Sequence, residues 1–358
     1  MRIYLFCLFL VGSVNLRAQS VVEEKPLSFS GYLEPYYTYD FGQPENGNRP
    51  PFVYAYNRHN EFNINLAFLK ASYTTGQVRA SLALAAGTYM NANYAAEPGV
   101  LKNIYEAQAG VRLSRKHNLW IDAGIFGSHI GFESAIGKDC WTLTRSIMAD
   151  NTPYYEAGAR ITYTTDNGKW LFSLLALNGW QRITRVEGNS MVSWGTQVQY
   201  KPNDRILLNY STFIGTDKPD SARLIRVLHN IYGIFSLTDK LGLTLGVDIG
   251  TEEKSVSGNG VNTWYSPIAI LRYGFHERWA IAGRLEYYND EQGVIIPTGT
   301  PNGFQTVGYS VNLDYSPVKN VLVRFEARQW NSKDPVFTKN KNAVNLNSFL
   351  TGSIAFSF

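Results

Sequence analysis

A chain of 358 residues with 33 basic and 29 acidic side chains has a formal net charge of only +4, which gives no electrostatic case for nucleic acid or another polyanion. Aromatic residues make up 14% of the sequence, with 23 Tyr against 8 Trp, yet the mean hydropathy is slightly polar at −0.20. After the opening segment no run of about eighteen apolar residues exists, which excludes a transmembrane helix.

The opening MRIYLFCLFLVGSVNLRAQS places a positive charge at Arg2, an apolar run from Ile3 to Val14 and a small residue, Ala18, before a polar start. This pattern predicts a cleaved secretory leader over residues 1–18 with Gln19 as the first mature residue. Leu16 is larger than the usual residue at its position, which leaves the exact cut open. The run is short for an uncleaved anchor, and a lipoprotein would need a Cys at the cut, whereas Cys7 sits inside the apolar run. Cleavage leaves Cys140 alone, so no intramolecular disulfide or Cys-based metal site is expected. It also removes Arg2 and Arg17, leaving 31 basic against 29 acidic residues, a net of +2. A short periplasmic segment, 19–26, then leads into one domain, 27–358, with no linker or low-complexity block.

From SFSGYLEPYYTYD onward, strands of about ten residues alternate with connections of two lengths. Short turns are predicted at 74–77, 114–118, 165–169, 201–205, 238–240, 276–278 and 316–320. Long loops are predicted at 41–59, 91–101, 129–152, 182–190, 216–222, 252–261, 291–303 and 332–346. Seven short turns and eight long loops join sixteen strands and leave both chain ends on the short-turn side. That predicts an all-β fold, a transmembrane antiparallel up-and-down barrel of the outer membrane with short periplasmic turns and longer extracellular loops. A large soluble β protein is the competing class, but it has no reason to sort its loops by length.

The strand faces agree. In NVLVRFEARQW the residues Val321, Val323, Phe325 and Ala327 alternate with Arg324, Glu326 and Arg328. RWAIAGRLEYYND, YEAQAGVRL and YEAGARITY alternate in the same way. A charge at mid-depth on the lipid face costs about 2–4 kcal/mol for Arg or Lys, so the charged faces must point inward. Two stretches resist this pattern. WLFSLLALNGW is apolar on both faces, and in FLKASY Lys70 falls on the outward face unless a bulge or an early strand end intervenes. Tyr36, Tyr37, Tyr39, Tyr154, Tyr155, Tyr287, Tyr288 and Tyr315 cluster at strand ends, where amphipathic rings suit the headgroup level. The final TGSIAFSF alternates up to Phe358, so the last strand is expected to pair with the first and leave no free edge.

The stretches FSGYLEPYYTYDF, RHNEFNINLAFLKASY, VRASLALAAGTYMNANY, DAGIFGSHIGFESA and GRLEYYNDEQG resemble the putative β-barrel porin-2 (OmpL-like) family, outer-membrane barrels common in Bacteroidota and hence Gram-negative. The resemblance covers about residues 28–358 and is most specific at Asp122 to Glu133 and Arg284 to Gly293. It implies location and architecture more firmly than a substrate. By resemblance to outer-membrane barrels in general, Phe358 is expected to be the signal read by the barrel-assembly machinery.

Inside the barrel the strand register places Arg79, Arg112, Arg160, Arg226, Arg272, Arg284, Arg324 and Arg328 with Glu34, Glu106, Asp122, Glu156, Asp248, Glu286, Asp314 and Glu326. Such balanced signs predict weak ion selectivity, or cross-strand ion pairs that satisfy one another. The longest loop, HIGFESAIGKDCWTLTRSIMADNTP, is the third long one, the position that folds into the pore in many sixteen-stranded porins. Glu133, Lys138, Asp139, Arg145 and Asp150 would then set the constriction, unless the loop faces solvent. Cys140 has no second Cys or His at metal-ligand spacing, and no metal or cofactor is expected. Ser128, His129 and Glu133 do not make a hydrolase, because neighbours in a strand point to opposite faces and no oxyanion hole is apparent. GSHIGFE lacks the Lys and the helix of a phosphate loop. The expected function is a non-enzymatic porin-like channel for passive diffusion of small hydrophilic solutes, constricted by the 129–152 loop. The alternative is a closed barrel with a structural or surface-adhesion role. Strand number separates the two, since about sixteen strands leave an aqueous channel and about eight do not. Trimers are common among such porins, but the sequence shows no interface patch, so a homo-oligomer stays an open expectation.

Overall fold

The computed structural model describes residues 26–256 and 259–358; the expected leader and nearly all of the segment after it lie outside the described residues. In chain order the strands are β1 (Leu27–Asp40), β2 (Phe62–Thr74), β3 (Val78–Ala86), β4 (Ile104–Arg112), β5 (Asn118–Gly127) and β6 (Tyr155–Thr164). They continue with β7 (Trp170–Leu177), β8 (Ser193–Asn203), β9 (Ile206–Gly215), β10 (Arg226–Ser236), β11 (Leu241–Glu253) and β12 (Val261–His276). The last are β13 (Trp279–Asp290), β14 (Phe304–Val318), β15 (Val321–Ser332), β16 (Phe337–Lys339), β17 (Asn342–Val344) and β18 (Leu346–Ser357). β16 and β17 form a small hairpin within the last long loop; the other sixteen strands close into a single antiparallel barrel in which each pairs with its neighbours in sequence and β18 returns to β1. The seven short turns all gather at one end and the eight long loops at the other, as the spacing predicts.

The period-two pattern sorts as the cost of a lipid-facing charge requires. On β15, Phe325 is 62% exposed on the outer face while Arg324 and Glu326 beside it are buried inside. Lys70 is brought inside by a bulge: Glu34 pairs with Leu66 but Pro35 with Ile64, so Asn65 is an extra residue and the alternation of β2 reverses beyond it. The Lys70 ammonium then reaches Glu106 at 2.5 Å. Leu175 and Leu177 of β7, one apolar face too many in the sequence, point inward and are buried in the barrel interior. The tyrosine clusters divide between faces. Tyr37 and Tyr39 stand outside, whereas Tyr36, Tyr154, Tyr155 and Tyr288 pack with inward-facing or loop side chains rather than reaching the headgroup level, because adjacent strand residues alternate.

At the seam, Gly31 and Phe358 exchange two backbone hydrogen bonds of 3.1 Å, so the final residue is part of the ladder that closes the barrel. Its ring lies over Gly31, where the absence of a side chain leaves the space. Two short helices, α1 (Thr88–Asn93) and α2 (Ile147–Asp150), belong to the second and third long loops.

Gly124 of β5 is opposed by Gly158 of β6. It holds a φ of +131°, and a Cβ there would run into the Ala107 carbonyl of β4. Gly124→Val is therefore expected to lower the temperature at which the folded band converts on a heat-modifiability gel, with backbone strain alone costing about 1–3 kcal/mol. Gly76→Ala, in a turn with no neighbour within 4 Å of the added Cβ, should leave that temperature unchanged; equal behaviour of the two variants would contradict the packing described.

Candidate functional site

The inner wall formed by β13, β14 and β15 carries a buried network of charge. Arg284 bonds Glu326 at 2.7 Å, Arg324 bonds Asp314 at 2.7 Å, and Arg328 bonds Glu286. Two of these pairs reach over β14, which presents the small Gly308 and Ser310, followed by Asn312, to the interior at that level. Each guanidinium has more donors than its carboxylate uses, and the remainder point into the lumen at the 128–154 loop. Arg284 donates to the Thr144 carbonyl at 2.6 Å, Arg324 to the Gly137 and Cys140 carbonyls at 2.6 and 3.0 Å, and Arg328 to the Arg145 carbonyl at 2.6 Å. The carboxylates accept from the same loop: Glu326 from Thr144 N–H at 2.5 Å and Glu286 from Ile147 N–H at 2.8 Å. Asn312 accepts from Leu143 N–H at 3.0 Å.

The loop is itself tightly folded. Arg145, buried, donates to the Ser134, Leu143 and Ala135 carbonyls at 2.5, 2.6 and 3.1 Å, closing the segment around its own side chain. Glu133 accepts from Ser146 N–H at 3.2 Å, while the Ser146 hydroxyl accepts from Ala149 N–H at 3.0 Å and caps α2. At the loop's root His129 lies between Glu156, 3.0 Å from Nδ1, and the Thr212 carbonyl, 2.8 Å from Nε2. Burial opposes the imidazolium, but Glu156 outweighs it and holds His129 above its ordinary pKa. Burial also raises Glu133, against the pull of Arg284, and pushes Asp150 up to about 7 and the Cys140 thiol up to about 11. Between these anchors Phe132 and Trp141 reach Gly246 and Gly242 of β11, and Lys138 N–H donates to the Tyr32 hydroxyl of β1, so the loop touches opposite sides of the barrel.

The first long loop also enters the barrel. Tyr56 is fully buried and donates its hydroxyl to Glu34 at 2.9 Å. Phe52, Ile130 and Ile147 from the loops meet the inward side chains Phe126, Leu175, Phe213 and Trp330 in an apolar cluster.

The wall opposite is different. On β2 to β6 the side chains of Lys70, Arg79 and Arg160 are 27, 35 and 25% exposed, against 0, 0 and 2% for Arg284, Arg324 and Arg328. Arg79 holds Asp122 through Nε at 2.6 Å and lies over the Trp120 ring at 4.4 Å. Arg160 bonds Gln108 at 3.0 Å, and Arg112, nearer the short turns, is half-exposed.

Of the expected inner residues, Asp248 is buried and accepts from Asn230 at 2.6 Å, Arg226 pairs with Glu252 at 2.7 Å at the long-loop end, and Arg272 is half-exposed toward the short turns; the other thirteen fall into two groups. Glu34, Glu156, Arg284, Glu286, Asp314, Arg324, Glu326 and Arg328 are buried, six of them directly bonded to the third loop or to its root His129; Arg79, Glu106, Arg112 and Arg160 keep contact with the open lumen, with Asp122 buried beneath Arg79. Of the loop residues, Glu133 and Arg145 are buried in the loop's own fold and Asp150 where the loop meets the wall and the first long loop, while Lys138 and Asp139 are exposed and paired with each other at 2.9 Å. The sequence reading misses Lys70 as a lumen residue, Asn312 as a loop anchor and Tyr56 as a visitor from another loop. Only for Lys70 was there a signal, its conflict with the strand alternation. Among the described residues no group of three or more His, Cys, Asp or Glu side chains could hold a metal ion.

No curated protein matches the sequence. Among solved structures, the anion-selective porin from Comamonas acidovorans superposes with a TM-score of 0.61 at 10% identity, covering 93% of this chain and 99% of that one. OmpT of Vibrio cholerae gives 0.58 at 11% identity, with 93% and 97% covered. Salmonella typhi OmpF, solved with daunomycin, gives 0.57 at 11% identity, also with 93% and 97% covered. At such identities the likeness is one of fold, a porin-type barrel of the outer membrane. The model of one family, described as Putative beta-barrel porin-2, OmpL-like, matches residues 26–358, and the chain, with its sixteen closed strands and charged interior, belongs to that family.

Proposed function

We propose that the barrel is a passive channel for small hydrophilic solutes, narrowed from one side by the 128–154 loop. The observation that carries this reading is the asymmetry of the inner wall: the charges of β13 to β15 are sealed beneath the loop, whereas Lys70, Arg79, Arg112, Arg160 and Glu106 stay in contact with the lumen. Solutes would pass between that wall and the loop. Four cations against Glu106 and the buried Asp122 favour anions weakly, since Lys70 is partly neutralised by Glu106 and Arg79 and Arg160 both by Asp122. A closed barrel acting at the outer surface is the second reading, favoured by the apolar cluster of Phe52, Ile130 and Ile147 inside the long-loop end.

Single-channel recording of the refolded protein in a planar bilayer separates the two. Discrete conductance steps with a modest anion preference are expected, and a folded barrel with no steps would favour the closed reading. Combined Arg79→Gln and Arg160→Gln should move the reversal potential in a salt gradient toward cations. Arg324→Gln should leave that potential unchanged and increase open-channel flicker, because it removes donors to Gly137 and Cys140 rather than a charge facing water. A shift in reversal potential with Arg324→Gln alone would contradict the division of the wall.

Loop packing should also depend on pH. Asp150, facing Arg145 and Arg328, has its pKa raised from 3.8 to about 7, so a detached loop loses that proton at lower pH than the docked one, and docking weakens as pH rises through this interval. His129 is raised above 6.5, so its contribution is full below that value and is lost as pH rises through the docked value. Both act in the same direction. Flicker is expected to be less frequent at about pH 5.5 than at about pH 8.5, and Asp150→Asn should reduce the difference; pH-independent flicker in the unsubstituted protein would exclude this coupling.

A further inference from the structure

At the long-loop end, a cavity of about 460 Å³ opens between the second, third, fourth and fifth loops, with Asn93, Asp150 and Trp180 among its lining residues. We infer that this cleft is a binding site for an uncharged, hydroxyl-rich ligand, a neutral saccharide, captured at the outer mouth of the barrel. Its lining holds three cations and three acids: Arg182 pairs with Asp217 at 3.5 Å, Lys218 and Arg226 share Glu252 at 3.2 and 2.7 Å, and Asp150 is the third acid.

What remains unpaired is of both kinds. The amide nitrogen and the amide oxygen of Asn93 and one carboxyl oxygen of Asp150 are buried with no hydrogen-bond partner, although the two residues are only 5 and 6% exposed. Unpaired buried donors and acceptors are costly, so they mark where something polar belongs. An anion would serve the Asn93 nitrogen but oppose both oxygens, and a cation would do the reverse. A hydroxyl group both donates and accepts, so a ligand rich in hydroxyls suits either kind of atom.

The apolar part of the cleft fits the same chemistry. Trp180 meets Phe213 at nearly a right angle with ring centroids 5.1 Å apart and carries the Arg226 guanidinium over its ring at 5.1 Å, which together fix its plane, and its remaining apolar surface lines the cleft where the C–H groups of a sugar ring would lie. The volume lies within the range of small-ligand pockets. A second cavity of about 800 Å³ shares Tyr54 and Ala92 with the first, and in it the amide oxygens of Asn57 and Asn347 are also buried and unpartnered. The two chambers adjoin at Tyr54, so a linear oligosaccharide has room on both sides of that ring.

This inference does not rest on the lumen conducting, and its test uses the refolded full chain in detergent. Isothermal titration with maltotriose and cellotriose is expected to give saturable binding of at least one, with trigalacturonate, a charged sugar of similar length, binding more weakly. Asn93→Ala should weaken the binding about tenfold or more, as expected for two lost hydrogen bonds. Trp180→Leu should weaken it too, with folding of both variants checked by heat modifiability. Absence of saturable binding by either neutral sugar, tighter binding of trigalacturonate, or unchanged affinity in a folded Asn93→Ala or Trp180→Leu protein would each overturn the assignment.

Discussion

Three buried guanidinium groups, those of Arg284, Arg324 and Arg328, divide their donors between carboxylates of the barrel wall and backbone carbonyls of the third loop. An ion pair moved out of water stabilises only when its remaining donors and acceptors are also satisfied. Here the loop backbone takes up the terminal donors, leaving only Nε of Arg284 and of Arg328 unpartnered, so the wall needs the loop as much as the loop needs the wall. β14 makes this arrangement sterically feasible, since Gly308 and Ser310 leave room for side chains of β13 and β15 to meet across it.

That single contact divides the interior electrically. Where the loop covers the wall, positive and negative groups neutralise one another in a water-poor setting and contribute little field to the lumen. On the uncovered side, Arg79 and Arg160 sit in partial contact with water, lie over the Trp120 and Phe126 rings, which fix their position, and share the one carboxylate of Asp122, so positive charge remains in excess there. Counting charges by sign over the whole barrel therefore misjudges the field, because what matters is which charges the loop leaves uncovered.

Barrel architecture was legible in the sequence because both of its signals are local: alternation within a strand, and the lengths of the connections. The inward position of Arg324, Glu326 and Arg328 followed from alternation and the cost of a charge in lipid, and the pairing of the terminal strand with the first from the closure of the barrel, which leaves no free edge. The rest was illegible for two physical reasons. A bulge such as the one at Asn65 shifts a strand by one residue with no composition signal of its own, and it was felt only as the misplaced Lys70. Toward the long-loop end the rule that inward means polar fails, because loops returning into the barrel bury inward-facing Leu175, Phe213 and Trp330 as an ordinary protein core would. Which residues the loop meets depends on three-dimensional closure, and no spacing in the sequence records that Gly137 lies against Arg324.

The separation of contacts along the chain orders these energies. Bonds inside the third loop join residues close in sequence, Arg145 to Leu143 two apart and Ser146 to Glu133 thirteen apart. Bonds from the loop to the wall span 139 residues for Ile147 and Glu286 and 187 for Arg324 and Gly137. Closing a short segment costs less chain entropy than joining distant ones, unless the barrel has already brought those distant residues together. The loop's inner fold can thus form on its own account, while its docking draws on a wall that exists only after β13 to β15 are in place. Contacts inside the loop therefore do not depend on those with the wall, whereas a loop held only by its docking surface would lose its fold with them.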